Sequence, residues 1–122
     1  MAEIRNLADV KNLQVNKDRQ LYSANQEEIL KGSTTDIYFV RTMDILNYMG
    51  IADRVVTAEI FPRKSGIFAG IGEAFNILKD KNLKIWALPE GESFQGKDTV
   101  MRIVGPYNEF GIFETVILGI LS

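Results

Sequence analysis

The sequence of 122 residues predicts an α+β fold, a small antiparallel sheet or half-barrel with helices packed on it, and three observations carry that prediction. Residues 54–61 alternate, with Val56, Ala58 and Ile60 on one side and Thr57, Glu59 and Phe61 on the other, the pattern of a half-buried strand. Residues 83–88 and 99–104 also read as short strands. The stretch between them has no helical period, so the two pair antiparallel and not through a crossover. Finally, Ile67, Ile71, Ala74, Phe75 and Leu78 recur at i, i+4, i+7, i+8 and i+11, the clearest helical period in the chain.

The remaining elements follow in order. Residues 1–22 are mixed and polar and read as an amino-terminal arm with one short helix; residues 23–122 form the domain. Ser23 and Glu27 make a capping-box pattern ahead of a helix that runs through Leu30. Gly32 is suited to end it in the left-handed conformation. A second box, Ser33 with Asp36, opens a helix to about Tyr48, and Gly50 stops it. In that helix Phe39, Met43, Leu46 and Met49 form an amphipathic stripe, which predicts a buried element. Pro62 ends the first strand, and Arg63-Lys64-Ser65-Gly66 leads into the helix with the clear period. Pro89-Glu90-Gly91 is a turn signal. Gly105-Pro106 breaks the last strand, and Asn108 can cap a final helix from near Glu109. Residues 112–121 are apolar almost throughout, so that helix requires burial on most of its circumference. It stops at Ser122 with no termination signal, and the chain is therefore expected to continue in a larger protein.

Composition narrows the function. With 14 basic against 16 acidic side chains there is no basic excess, which argues against nucleic acid or an anionic membrane as partner. Cysteine and histidine are both absent, so disulfides, the commonest zinc ligands and histidine-based triads are excluded. The amino terminus lacks a signal-peptide pattern, no stretch reaches the roughly 20 apolar residues of a membrane span, and a cytoplasmic location is expected.

Four motifs could carry chemistry. Gly91-Glu92-Ser93-Phe94-Gln95-Gly96-Lys97 matches the first seven positions of a phosphate-binding loop. Asp98 stands where Ser or Thr should hold magnesium, no helix follows, and Glu90, Glu92 and Asp98 would repel phosphates; a plain glycine-turned loop is the better account. Gly70-Ile71-Gly72 starts a dinucleotide fingerprint but lies within a helical period, where close packing explains it better. Arg63 and Lys64, set before a helix start, could hold a phosphate; a solvated cation pair is the alternative. Tyr38 with Asp36 could form an aromatic platform with an acceptor, or the ring could simply be core. Glu59 and Glu114, among apolar neighbours, read as buried or paired carboxylates.

Several segments together resemble the amino-terminal domain of nicotinate phosphoribosyltransferase, a type II phosphoribosyltransferase. They are Thr35-Asp36-Ile37-Tyr38, Glu59-Ile60-Phe61-Pro62-Arg63-Lys64, Gly66-Ile67-Phe68-Ala69-Gly70, and the run from Val104-Gly105-Pro106-Tyr107 to Glu114-Thr115-Val116-Ile117-Leu118. The resemblance implies a small α+β domain that precedes a larger α/β barrel, absent here. It implies a reaction joining nicotinate to 5-phosphoribosyl-1-pyrophosphate, with ATP hydrolysis assisting and magnesium required. It further implies a homodimer or higher assembly in which this domain covers the barrel of a neighbouring subunit. By the same resemblance Tyr38 stacks on the pyridine ring with Asp36 as its companion, Arg63 and Lys64 reach a substrate phosphate, and Glu59, Glu114 and Thr115 are supporting or structural. The family's histidine for ATP coupling has no counterpart, so this chain cannot carry that coupling, and because the barrel is missing it is expected alone to bind no cofactor and to be inactive. The alternative is a stand-alone binding or interaction module, since residues 89–107 resemble half of a lipoyl-type barrel.

Overall fold

The alternation over residues 54–61 is realised as β1 (Val55–Ile60), whose Val56, Ala58 and Ile60 turn inward while their neighbours face out. This is seen in a computed structural model that describes Arg5, Asn6, Ala8 and residues 18–122. The short helix expected in the amino-terminal arm lies outside the described residues.

Around β1 the described elements are α1 (Gln26–Leu30), α2 (Ile37–Tyr48), β2 (Gly66–Ile67), α3 (Ile71–Leu78), β3 (Lys84–Ala87), β4 (Ser93–Phe94) and β5 (Met101–Pro106). A short helix α4 (Tyr107–Phe110) and a 3-10 turn (Gly111–Phe113) then lead into α5 (Glu114–Leu121). The main sheet has the order β1-β5-β3, with both pairings antiparallel, as the helix-free connection between β3 and β5 requires. β2 and β4 form a second, two-stranded antiparallel ribbon. Among the described residues neither sheet closes into a barrel, so the α+β class stands with open sheets.

The core lies between the main sheet and the helices. Central strand β5 contributes Met101 and Ile103, α3 contributes Ala74, Ile77 and Leu78, and Phe110, Phe113, Val116 and Ile117 close it from the carboxyl-terminal side. Leu21 and Ile29 complete it from the amino-terminal side, Leu21 being 1% exposed. No helix of the described residues is long and apolar enough to cross a membrane.

Four local expectations are corrected. α1 is capped by Asn25, whose side-chain oxygen accepts from the amides of Glu27 and Glu28; Ser23 instead donates from its amide and hydroxyl to Glu73. α2 is not a buried helix: Phe39 alone is buried, Met43 and Leu46 are half-buried, and Met49 is exposed. The reason is position, since α2 meets the body chiefly at the 3-10 turn and the rest of the stripe has no facing layer. The helix with the clear period begins at Ile71, not just after Gly66, because Gly66 and Ile67 are drawn into the ribbon with β4. Asn108 does not cap a helix either: it lies within α4, whose N-cap is Pro106, and the expected single helix is interrupted by the 3-10 turn, leaving Phe113 at the N-cap of α5.

Candidate functional site

Gly32 adopts φ +80°, the left-handed turn that its place after α1 calls for, and a Cβ there would meet Ile112 at 2.9 Å. The chain thereby turns against the carboxyl-terminal segment before α2 begins. Asp36 sits at the N-cap of α2 in an extended conformation, yet its carboxylate makes no capping bond. Its backbone amide donates instead to Thr115 Oγ1 at 3.1 Å, across 79 positions of sequence. The Ser33–Asp36 box is therefore not formed, and the hydroxyl of Thr35 is buried without a partner. What the Asp36–Thr115 bond does is bring the start of α2 onto the start of α5.

Tyr38 stands in the first turn of α2 and is 57% exposed, whereas its neighbour Phe39 is buried and anchors the helix. The two rings lie 4.2 Å apart between centroids. Thr42 donates to the Tyr38 carbonyl at 2.8 Å, which fixes the backbone beneath the exposed ring. Loss of solvent raises the Tyr38 hydroxyl above its ordinary range, and the Asp36 and Glu114 carboxylates raise it further. Tyr107 is raised likewise, by burial first and then by Glu114 and Tyr38. Glu114, first residue of α5, is held above the usual glutamate range by burial. Two phenols and two carboxylates thus share one neighbourhood. The phenols remain protonated at neutral pH and can donate hydrogen bonds.

Of the residues singled out in the sequence, Asp36, Tyr38, Glu114 and Thr115 are brought together. Tyr107 joins them, and sequence reasoning gave it no role beyond its place in the Val104-Gly105-Pro106-Tyr107 segment; Gly105-Pro106, expected to break the last strand, instead forms the end of β5, paired with Val56 and Val55. Glu59 does not belong to this group through any hydrogen bond. It pairs with Arg102, its register partner on β5, at 2.7 and 3.0 Å, and both are about half exposed, so a buried carboxylate is ruled out there. A cavity of about 200 Å³ lies between β1 and α5, bounded among others by Glu59, Phe61 and Glu114.

Arg63 and Lys64 occupy a separate place. Both are exposed in the bend between β1 and β2 and line an open groove of about 840 Å³, with residues of β2, β4 and the β4–β5 connection forming the rest. They do not stand before a helix start. The amides at the start of α3 are already taken by Glu90, whose carboxylate accepts from Gly70 at 2.9 and 3.0 Å and from Ile71 at 3.1 Å. A phosphate held by Arg63 and Lys64 would depend on the cations and the groove, without a helix dipole. Gly70 itself has φ +98° and lies against the Ile120 carbonyl, so of the Gly70-Ile71-Gly72 motif the first glycine serves close packing. Gly72 has open space around it. Among the described residues no three acidic side chains gather into a group that could hold a metal ion.

Comparison with known proteins places the fold. Residues 36–122 match the family model described as quinolinate phosphoribosyl transferase, N-terminal domain. The chain is similar to the crystal structure of nicotinate-nucleotide pyrophosphorylase from Pyrococcus furiosus, with 36% identity over 85% of this chain and 28% of that one, at a TM-score of 0.76. It shares its fold with human nicotinic acid phosphoribosyltransferase (17% identity, 73% of this chain and 25% of that one, TM-score 0.60). It also shares it with nicotinate-nucleotide pyrophosphorylase from Francisella tularensis (17%, 87% and 39%, TM-score 0.51). The chain spans well under half the length of each of these proteins. The fold is that of the amino-terminal domain of a phosphoribosyltransferase. The chain belongs to the quinolinate phosphoribosyl transferase N-terminal-domain family.

Proposed function

We propose that this chain is the amino-terminal domain of a nicotinate phosphoribosyltransferase, which joins nicotinate to 5-phosphoribosyl-1-pyrophosphate and releases pyrophosphate. In this reading Tyr38 stacks on the pyridine ring, Arg63 and Lys64 meet a substrate phosphate, and a barrel domain completes the site. The barrel is that of a second subunit in a dimer or higher assembly, and this chain alone is inactive. ATP and magnesium act, where they act, with residues of the barrel. The supporting observation is the surroundings of Tyr38: an exposed ring on a fixed first turn, flanked by Asp36 and Glu114 with no cation among the groups that shift it. A flat aromatic acid suits such a ring. The matched family model carries the name of quinolinate, a dianion; the neighbouring carboxylates repel every carboxylate on a substrate, so the repulsion is smaller for nicotinate than for quinolinate. Neutral nicotinamide would escape that repulsion; the names of the similar proteins, all given for acids, support the acid.

Further support comes from the exposed apolar side chains of α2, among them Ile37, Ile45, Tyr48 and Met49, with Tyr48 94% exposed. A covering subunit would remove them from water. The test is Tyr38→Ala in the enzyme assembled with its barrel, assayed with nicotinate, quinolinate and nicotinamide. The KM for nicotinate is expected to rise about tenfold, the loss of one stacking contact, while that for 5-phosphoribosyl-1-pyrophosphate stays within about twofold. Equal effects on both substrates would overturn the platform role, and turnover of quinolinate in preference to nicotinate would overturn the substrate.

A further inference from the structure

The groove beside Arg63 is built by the loop that imitates a phosphate-binding motif. β4 pairs with β2 in the register Gly66↔Phe94 and Ile67↔Ser93, and beyond it Lys97 donates its amide to the Pro62 carbonyl at 2.8 Å. Gly96 runs directly under the Arg63 backbone. A Cβ built there would lie 2.8 Å from the Arg63 carbonyl oxygen and 3.3 Å from its carbon, both backbone atoms that cannot swing aside. Lys97 holds φ +72°, a left-handed conformation rarely adopted by a residue with a side chain, and so marks an enforced turn. The turn is closed by Asp98, whose carboxylate accepts from Gln95 at 2.8 Å and whose amide donates to the Gln95 carbonyl at 3.1 Å. Among the described residues the Arg63 side chain makes no hydrogen bond, so what the loop holds in place is the backbone from which that side chain extends.

We propose that Gly96, with the Lys97 amide, is a positioning element for Arg63: the loop of residues 91–98 holds no phosphate itself but fixes the backbone from which Arg63 reaches one. This explains a glycine at a site of ordinary φ, where the requirement is contact and not conformation. It also explains why a loop carrying Glu92 and Asp98 sits beside a cationic pair. The inference rests on the reading of Arg63 as a phosphate-contacting residue.

The experiment compares Gly96→Ala with Arg63→Ala in the assembled enzyme, measuring KM for each substrate, kcat and thermal unfolding. Gly96→Ala is expected to raise KM for 5-phosphoribosyl-1-pyrophosphate by on the order of tenfold, as a displacement of about an ångström does, with KM for nicotinate unchanged. Arg63→Ala is expected to raise the same KM by at least as much. A normal KM in Gly96→Ala alongside a raised one in Arg63→Ala overturns the positioning role. A normal KM in Arg63→Ala overturns the phosphate reading beneath it. If Gly96→Ala lowers kcat and raises both KM values together, the effect is general destabilisation and the proposal fails. Should Gly96→Ala not fold, Phe94→Ala is judged by the same criteria, because Phe94 packs 3.1 Å from the Cβ position of Gly66 and removing the ring loosens the same ribbon.

Discussion

Glu114 shows what a single residue contributes to this domain. It opens α5, where a helix start favours negative charge, yet burial wins and holds its carboxyl above the usual glutamate range. The folded state therefore binds this proton more tightly than the unfolded chain does, and ionisation costs stability. The cost is absent below the ordinary glutamate value, grows as pH rises through the raised folded value, and is complete above it. Glu114→Gln is accordingly expected to raise Tm at neutral pH and to leave it unchanged in acid, where both side chains are neutral. Thermal unfolding across that pH range checks this, and a gain that is equal at both ends would refute the burial account. The sequence marked Glu114 as a carboxylate among apolar neighbours, which was correct. For Glu59 the paired alternative holds, and its partner Arg102, 43 positions away, is revealed only by the β1–β5 register.

At the scale of an element, α3 was the most legible helix and still started in the wrong place. Its apolar period is real, but a period does not say whether Ile67 belongs to the helix or to a strand beside it. Pairing with β4 decided for the strand. The consequence is a start at Gly70 whose free amides are met by Glu90 from 20 positions on. Glu90→Ala removes these bonds and the favourable charge at the helix start. The expected loss is about 1 kcal/mol, or roughly 5 °C in Tm, measured by thermal or denaturant unfolding. α2 carries the opposite lesson. Its stripe was correctly read as amphipathic, but amphipathicity states that one face prefers cover and not that this domain supplies it.

For the whole molecule, residues 20–23 are tied on chiefly through the side chain of Glu73. Glu73 of α3 accepts from the Tyr22 amide at 2.6 Å, the Ser23 amide at 2.9 Å and the Ser23 hydroxyl at 3.0 Å, while Leu21 beside them is buried in the core. Lys79 and Asn76 add bonds to Gln20 from the same helix. Glu73→Ala should cost about 2 kcal/mol and expose the Tyr22 and Ser23 amides to hydrogen exchange, with less change in the main sheet. Uniform loss of protection throughout the domain would show that the tether is not local. The sequence by itself determined the α+β class, the three strands of the main sheet, the existence of α1, α2 and α3, and the glycine turns at Gly32 and Gly50. These follow from periodicity and backbone conformation within short windows. Tertiary structure alone decided which carboxylates are paired, that Tyr107 joins Asp36, Tyr38 and Glu114, and that the loop of residues 91–98 supports Arg63. Each of these depends on contacts between residues far apart in the chain, and local pattern holds no record of such distances.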